Sequence, residues 1–249
     1  MSKFAVITGS SGGIGSALVD AFLSDNYSVV GIDATDSGRN SVGFLEINAD
    51  LCKFTKNENF REKILNQIKN HLPEKLDNFV LINNAAVQIL NPVSELNWSD
   101  WDKTLTVNTK APFFLVQGFL DQLIKANGHV INISSIHSKL TKANFTCYAA
   151  SKSALEALTR SLALELSSHG ISVNAISPAA IATEMLKDGF AEAPHKLKEL
   201  ESYHPAKMIG KPEELADFVK SVTDHKGSFL TGSILDFNGG IGGCLHDPD

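Results

Sequence analysis

Apolar runs of strand length alternate with helix-length segments along almost this whole chain, and few folds accept that order. The runs cover residues 4–7, 28–32, 79–82, 129–133, 171–176 and 233–237, with a further short strand at 42–47. Between them lie helix-length segments at about 14–25, 57–70, 98–125, 148–169 and 212–223. The main runs are continuous rather than alternating, so each strand is expected to be covered on both faces, and strands separated by helices in this way pair in parallel. The expected fold class is α/β: three layers, with a parallel sheet of about seven strands between helices on both faces. Pro212, with Glu213 and Glu214 behind it, suits the first turn of the last helix, and Gly170 suits a helix stop.

A chain of 249 residues with 43% apolar content can bury a substantial core, and one domain spanning 1–249 is expected. Within it, 178–211 is the longest stretch without a strand and has room for two short helices, the profile of a substrate loop or lid. The formal charge of −6 gives no basic footprint for nucleic acid or an anionic membrane. A start without a long apolar region, together with the lack of any bilayer-length apolar run, points to a cytoplasmic protein. Cys52, Cys147 and Cys244 are scattered and odd in number, so neither a disulfide framework nor a metal site is expected. Cys147 reads as a small apolar residue at a helix start.

Two helical segments carry more apolar surface than one core face needs. The run 111–116 continues into Phe119, Leu120, Leu123 and Ile124, so this helix must be buried on several sides. The segment from Tyr148 places Leu155, Leu158, Leu162 and Leu166 at core spacing and adds a small-residue face of Ala154, Ala157 and Ala163. A homo-oligomer is expected from these surfaces, a dimer or a homotetramer.

The run Thr8-Gly9-Ser10-Ser11-Gly12-Gly13-Ile14-Gly15 directly follows the first strand and opens the first helix. Backbone N–H groups and the helix dipole would there face a pyrophosphate, which makes a dinucleotide-binding Rossmann fold the natural frame. Asp33 ends the second strand, twenty residues after Gly13, where a carboxylate can accept both hydroxyls of an adenosine ribose. It favours NAD over NADP, because a 2′-phosphate would meet a like charge and Arg39 lies several residues beyond. Asp50, after the third strand, is a softer candidate for the adenine amino group.

Tyr148 and Lys152 stand four residues apart, on one face if the segment is helical, with Ser135 thirteen upstream of the tyrosine. A phenol titrates near 10, and an ammonium one helical turn away stabilises the phenolate and makes the tyrosine usable as a proton donor or acceptor.

These motifs, in this order, resemble the classical short-chain dehydrogenase/reductase family, and the resemblance runs from Thr8 to Gly240. The family's glycine turn falls on Gly9, Gly13 and Gly15, and its Asn-Asn-Ala-Gly strand end on Asn83-Asn84-Ala85-Ala86. Its catalytic asparagine falls on Asn108, its serine on Ser135, and its Tyr-x-x-x-Lys on Tyr148 and Lys152. Its Pro-Gly segment falls on Pro178-Ala179, with the nicotinamide-contacting threonine at Thr183. The resemblance implies that Tyr148 is the general acid or base, that Ser135 steadies the substrate oxygen, that Lys152 holds the nicotinamide ribose and lowers the tyrosine pKa, and that Asn108 holds a water linking the lysine to solvent. It implies cofactor contacts from Gly9, Ser11, Gly13, Ile14, Gly15, Asp33, Asp50, Leu51, Asn84, Ala85, Tyr148, Lys152, Pro178, Ile181 and Thr183. Ala86 and Ala179 depart from the family's glycines, and a positive φ at Ala179 would carry strain of order 1 kcal/mol.

The function expected is NAD-dependent interconversion of a secondary alcohol and a ketone. NADPH-dependent reduction of a 3-oxoacyl thioester and a non-catalytic dinucleotide-binding role are the alternatives. Gln88, Asn144, Phe145, His195, Tyr203 and His204 are expected around the substrate, with His137 either lining the pocket or at the surface.

Overall fold

A computed structural model of the chain describes residues 2–188, 190–191, 193–225 and 227–244; residue 1 and residues 245–249, the ends of the expected 1–249 domain, lie outside the described residues. The strands are β1 (Lys3–Thr8), β2 (Tyr27–Asp33), β3 (Phe44–Asn48), β4 (Asn78–Asn83), β5 (His129–Ile133), β6 (Ser172–Pro178) and β7 (Ile234–Phe237). All pair in parallel, in the order β3-β2-β1-β4-β5-β6-β7. The expectation of a three-layer Rossmann arrangement is met. The order reverses between β1 and β4, and in an open parallel sheet that reversal leaves a crevice at the carboxyl ends of the two strands.

The continuous apolar runs are explained by the two faces. On one side Phe4 and Val6 of β1 and Phe79 and Leu81 of β4 pack under α2 (Leu51–Lys56), α3 (Glu58–Lys69), α5 (Ala111–Gly118), α6 (Leu120–Ala126) and α7 (Thr146–Leu166). On the other side Ala5, Ile7, Val80 and Ile82 pack under α1 (Gly13–Ser24) and α10 (Pro212–Thr223). Successive side chains point to opposite faces, so a strand covered on both must be apolar at every position.

The expected single helix over 98–125 is instead α4 (Trp98–Leu105), a π-helical turn at Thr106–Lys110, then α5 and α6. The wider turn carries Asn108. Pro112 sits in the first turn of α5 and has no N–H, so the carbonyl of Asn108 lacks its ordinary helical donor. The short α2 was not expected; Asp50 caps it by accepting from the backbone of Cys52 at 2.7 Å. In the segment 178–211 two helices form, α8 (Glu184–Asp188) and α9 (Pro194–Tyr203). Gly170 stops the chain after α7 and a following 3-10 turn with φ +75°, and Pro212 opens α10 with Glu213 and Glu214 in its first turn.

Candidate functional site

The glycine turn leaves β1 at the crevice, and two of its glycines, Gly9 and Gly15, meet backbone too close for a side chain. Gly9 has φ +67°, and a Cβ there would lie 2.8 Å from Ala85 Cα. A Cβ on Gly15 would lie 1.8 Å from the carbonyl oxygen of Gly9, so the helix can start beneath the turn only with glycine at that position. Gly12 caps α1 with no side-chain bond, which leaves the first-turn N–H groups of Gly13, Ile14 and Gly15 turned toward the crevice without a capping side chain. A cradle of bare backbone at a helix N-terminus fits a pyrophosphate. A cleft of about 670 Å³ opens beside it, lined by Gly13, Ser16 and Asp20 of α1, by Thr183 and by Pro212 of α10.

Thr8 and Asn84 hold the turn in place. The Thr8 hydroxyl accepts from the backbone of Asn84 and of Ala85, both at 3.0 Å, and the Asn84 amide donates to the carbonyls of Thr8 and Gly9 at 3.0 and 3.1 Å. Asn84 thus braces the expected cofactor site through its side chain. Next to it, Asn83 donates to Asn132, which donates to Thr159, a polar chain running from β4 through β5 to α7.

At the far end of the turn, Asp33 accepts from the backbone of Ser11 at 3.0 Å and from the backbone and hydroxyl of Thr35, also at 3.0 Å. The Asp50 carboxylate uses one oxygen to cap α2, and Leu51 begins that helix with its side chain in the core. Thr183 lies against Gly13, where an added Cβ would come within 3.0 Å of its methyl group, and its hydroxyl accepts from the backbone of Leu186. Ile181 is buried and forms a parallel bridge with Gly210. Ala179, following Pro178, donates its backbone N–H to Phe237, and neither it nor Ala86 has positive φ, so the two departures from glycine carry no strain of that kind.

Ser135, Tyr148 and Lys152 come together at the carboxyl end of β5. Ser135 follows that strand and caps a 3-10 turn, Ile136–Ser138, by accepting from His137 at 3.2 Å. Tyr148 lies in the first turn of α7, on the side of that helix that meets the Ser135 loop. Burial raises the phenol pKa and the Ser135 hydroxyl lowers it, the burial being the larger effect. Lys152 is fully enclosed, donates to the carbonyl of Ile133 at 2.7 Å and sits 5.6 Å from the centre of the Tyr148 ring. Its burial brings its pKa down to about 8. Both groups are therefore driven toward their neutral forms, so the expected lowering of the phenol by the lysine is opposed by the enclosure of the pair.

Asn108 accepts from the backbone of Val87 at 2.8 Å and donates to the Val87 carbonyl and the Ser151 hydroxyl, both at 2.9 Å. Its amide is committed to joining the π turn, the β4 exit and α7. His137 stacks on Phe145 with ring centres 4.1 Å apart, and both rings meet Tyr148 edge-on. Burial and the nearby Lys142 bring the His137 pKa to about 4, which makes it an uncharged wall rather than a base. The other expected pocket residues divide. Asn144 takes φ +71° next to Phe145, and His204 is buried with Nδ1 against the Leu200 carbonyl. Gln88 and His195 are exposed, and the Tyr203 hydroxyl bonds Glu199 at the surface.

Two carboxylates escaped the sequence reading. Glu46 of β3 reaches the glycine turn and accepts from the Ser11 hydroxyl at 3.0 Å. Glu156 of α7, only 4% exposed, accepts from the hydroxyls of Ser134 and Ser138, the residues on either side of the Ser135 loop. The available signal was position: one lies in a strand and the other beside Leu155 on a core-facing helix. Among the described residues no group of His, Cys, Asp or Glu is arranged to hold a metal ion, and no helix is long and apolar enough to cross a membrane.

Residues 3–193 match the family model described as short chain dehydrogenase. The chain is 33% identical over 243 residues to an NAD-dependent glycerol dehydrogenase of Listeria innocua, covering 96% of this chain and 93% of that protein. It is 32% identical over 241 residues to a 3-oxoacyl-(acyl-carrier-protein) reductase of Buchnera aphidicola, covering 95% and 96%. A solved structure of 4-hydroxyisoleucine dehydrogenase complexed with NADH superposes with a TM-score of 0.86 at 26% identity, covering 98% of this chain and all of that one.

Proposed function

The chain belongs to the short-chain dehydrogenase/reductase family and is an oxidoreductase acting on CH–OH groups, and from that premise we propose that it interconverts a secondary alcohol and its ketone with NAD, using Tyr148 as general acid and base. The observation that carries this reading is the convergence of Ser135, which follows β5, with Tyr148 and the enclosed Lys152 of α7, the lysine being bound to Ile133 at the carboxyl end of that strand and 5.6 Å from the centre of the Tyr148 ring. The backbone cradle at Gly9, Gly13 and Gly15 fits a nicotinamide dinucleotide, with Asp33 at the adenosine ribose, Asp50 and Leu51 toward the adenine, and Pro178, Ile181 and Thr183 on the nicotinamide side. Bound there, the nicotinamide supplies or accepts the hydride.

In oxidation Tyr148 takes the proton of the substrate hydroxyl as charge builds on that oxygen, and in reduction it returns one. Ser135 donates to the same oxygen, so the two hydroxyls fix where it sits; preorganised donors of this kind act most strongly in the transition state. Lys152, held by Ile133, keeps further N–H groups for the ribose hydroxyls and for the phenolate oxygen. Asn108 holds a water on its backbone carbonyl and so gives the lysine a route to solvent. The aromatic wall of His137 and Phe145 keeps water from the phenol.

The whole of 1–249 is proposed as one NAD(P)-binding domain, with 178–211 closing over the substrate. Exposed apolar side chains on α4, α5 and α7, among them Trp101, Phe113 and Leu164, the last 84% exposed, support a homo-oligomer, a dimer or tetramer. The charge and the membrane result support a cytoplasmic setting without nucleic-acid or membrane partners.

The test is a panel of secondary alcohols and ketones assayed with NAD(H) and NADP(H), beside Tyr148→Phe. Turnover of a panel member should fall by about 10²–10⁴ in the variant while NADH binding persists. Tight NADH binding with no turnover of any member would leave the non-catalytic reading standing. Preferential use of NADPH with a 3-oxoacyl thioester would replace the alcohol by the reading that the Buchnera relative favours.

A further inference from the structure

We propose that Glu46 acts with Asp33 as a second carboxylate that excludes a 2′-phosphate, so that cofactor choice is set by two residues on neighbouring strands; this rests on reading the glycine turn as the dinucleotide site. Glu46 stands opposite Gly31 in the register of β3 with β2. Gly31 has no room for a side chain, because a Cβ would meet the Ser10 hydroxyl at 2.4 Å and the Phe44 ring at 2.9 Å. The glycine turn therefore leans across β2 at Gly31, and this brings Ser11 within reach of the next strand.

Ser11 is then shared. Its N–H donates to Asp33 at 3.0 Å, and its hydroxyl proton is shared between Glu46 at 3.0 Å and the Thr35 carbonyl at 3.1 Å. The second oxygen of Glu46 accepts from the backbone and hydroxyl of Ser37 at 3.0 and 2.7 Å, while Asp33 holds Thr35. Two residues in the first half of the loop after β2, Thr35 and Ser37, are thus tied to carboxylates that flank one serine of the turn. Among the described residues neither carboxylate has a cationic partner. The nearest candidate, Arg39, is engaged elsewhere: its guanidinium bonds Asp20 at 2.6 Å and lies 5.6 Å from the centre of the Phe44 ring. A ribose with free hydroxyls can donate to such a pair, whereas a 2′-phosphate brings up to about two more negative charges and no donor.

Removal of Asp33 alone would leave the exclusion in place. Binding of NADH and NADPH to the full chain, followed by fluorescence titration, tests this. Asp33→Ser should weaken NADH and improve NADPH by less than about tenfold, and Asp33→Ser with Glu46→Gln should improve NADPH by about a hundredfold or more over the parent. In the parent, raising ionic strength from about 0.01 to 0.5 M should tighten NADPH relative to NADH, and that relative gain should shrink in the double variant. Equal NADPH affinity in the single and double variants would overturn the proposal. So would a Glu46→Gln protein that loses NADH as severely as NADPH, since Glu46 would then serve the loop's structure alone. Weaker NADPH binding in Arg39→Ala would show that the guanidinium swings over to clamp a phosphate, which also overturns it. A parent chain that binds neither dinucleotide would instead refute the underlying reading of the glycine turn.

Discussion

Lys152 donates to the backbone carbonyl of Ile133 over 2.7 Å, so the ammonium enclosed in α7 is fastened to the strand whose next two residues lead to Ser135. This bond holds α7 against β5 at the point where the tyrosine and serine meet. It also has a pH signature.

Burial brings the Lys152 pKa from 10.5 down to about 8. Below pH 8 the folded and unfolded chains both carry the charge, and folding bears the full cost of burying it. Between about 8 and 10.5 the unfolded chain binds more protons than the folded one, so this residue's contribution to stability rises with pH, by up to about 3 kcal/mol. Urea unfolding of the parent and of Lys152→Met across that window isolates the effect, because other high-pH titrations, such as that of Tyr27, are common to both. The parent should gain about 1–3 kcal/mol on the variant from pH 8 to 10.5. A difference independent of pH would mean that the lysine does not titrate in the interior.

His137 gives the opposite limb. Its pKa falls to about 4 from 6.5 through burial against Phe145 and the charge of Lys142. Above pH 6.5 neither state is protonated there. As pH falls from 6.5 to 4 only the unfolded chain takes the proton, and stability is lost. The side chain is partly solvent-screened, so the loss should be about 1–2 kcal/mol. His137→Phe should keep that stability on acidification, and proton NMR of the parent should show the His137 imidazole, identified by its loss in the variant, staying neutral at pH 5. An imidazole at position 137 titrating near 6.5 would contradict its place in the wall.

Much of this molecule is legible in its sequence, for a specific reason. Strands covered on both faces must be apolar at every position, so β1, β4 and β5 announce themselves, and the strand-turn-helix context of Gly9 to Gly15 places the crevice. The π turn at Asn108 was not readable, because it is stabilised by partners distant in sequence, Val87 and Ser151, and no local propensity encodes them. The cap that Asp50 makes was not readable either, since a carboxylate before a short helix looks the same in sequence whether it caps, binds a ligand or does both. Glu46 and Glu156 were passed over because a lone charge in a strand or helix usually faces water. Their partners are serines brought in by the fold.

Glu156 is expected to act as a positioning residue. Its carboxylate accepts from Ser134 at 3.0 Å and Ser138 at 2.5 Å, so both sides of the Ser135 loop are pulled onto α7 one helical turn beyond Lys152. Glu156→Ala leaves two enclosed hydroxyls without acceptors and should cost about 2–4 kcal/mol in unfolding free energy. It should also lower kcat at least about tenfold with the NADH Kd unchanged, because a loosened serine misplaces the substrate oxygen. Glu156→Gln keeps one acceptor and should recover most of the stability and part of kcat. Equal loss of NADH affinity and kcat would indicate general unfolding rather than positioning.

The glycine turn yields the sharpest steric test. A Cβ on Gly15 would sit 1.8 Å from the Gly9 carbonyl and 2.8 Å from Ser10 Cα, both backbone atoms that cannot rotate away. Gly15→Ala must therefore lift the turn off α1, which moves the first-turn N–H groups out of the arrangement that faces the crevice. Overpacking of this kind costs about 1–3 kcal/mol. The seven-stranded sheet has its own cores on either side and should persist, so far-ultraviolet circular dichroism should be nearly unchanged. NADH affinity should fall by about a hundredfold or more, equivalent to about 3 kcal/mol. Gly12→Ala is the control: its Cβ would come no nearer than 3.6 Å, to the Gly9 carbonyl, and φ at Gly12 is −75°, so affinity should change by less than about tenfold. A Gly15→Ala protein that binds NADH as the parent does would show that the dinucleotide does not rest on this turn.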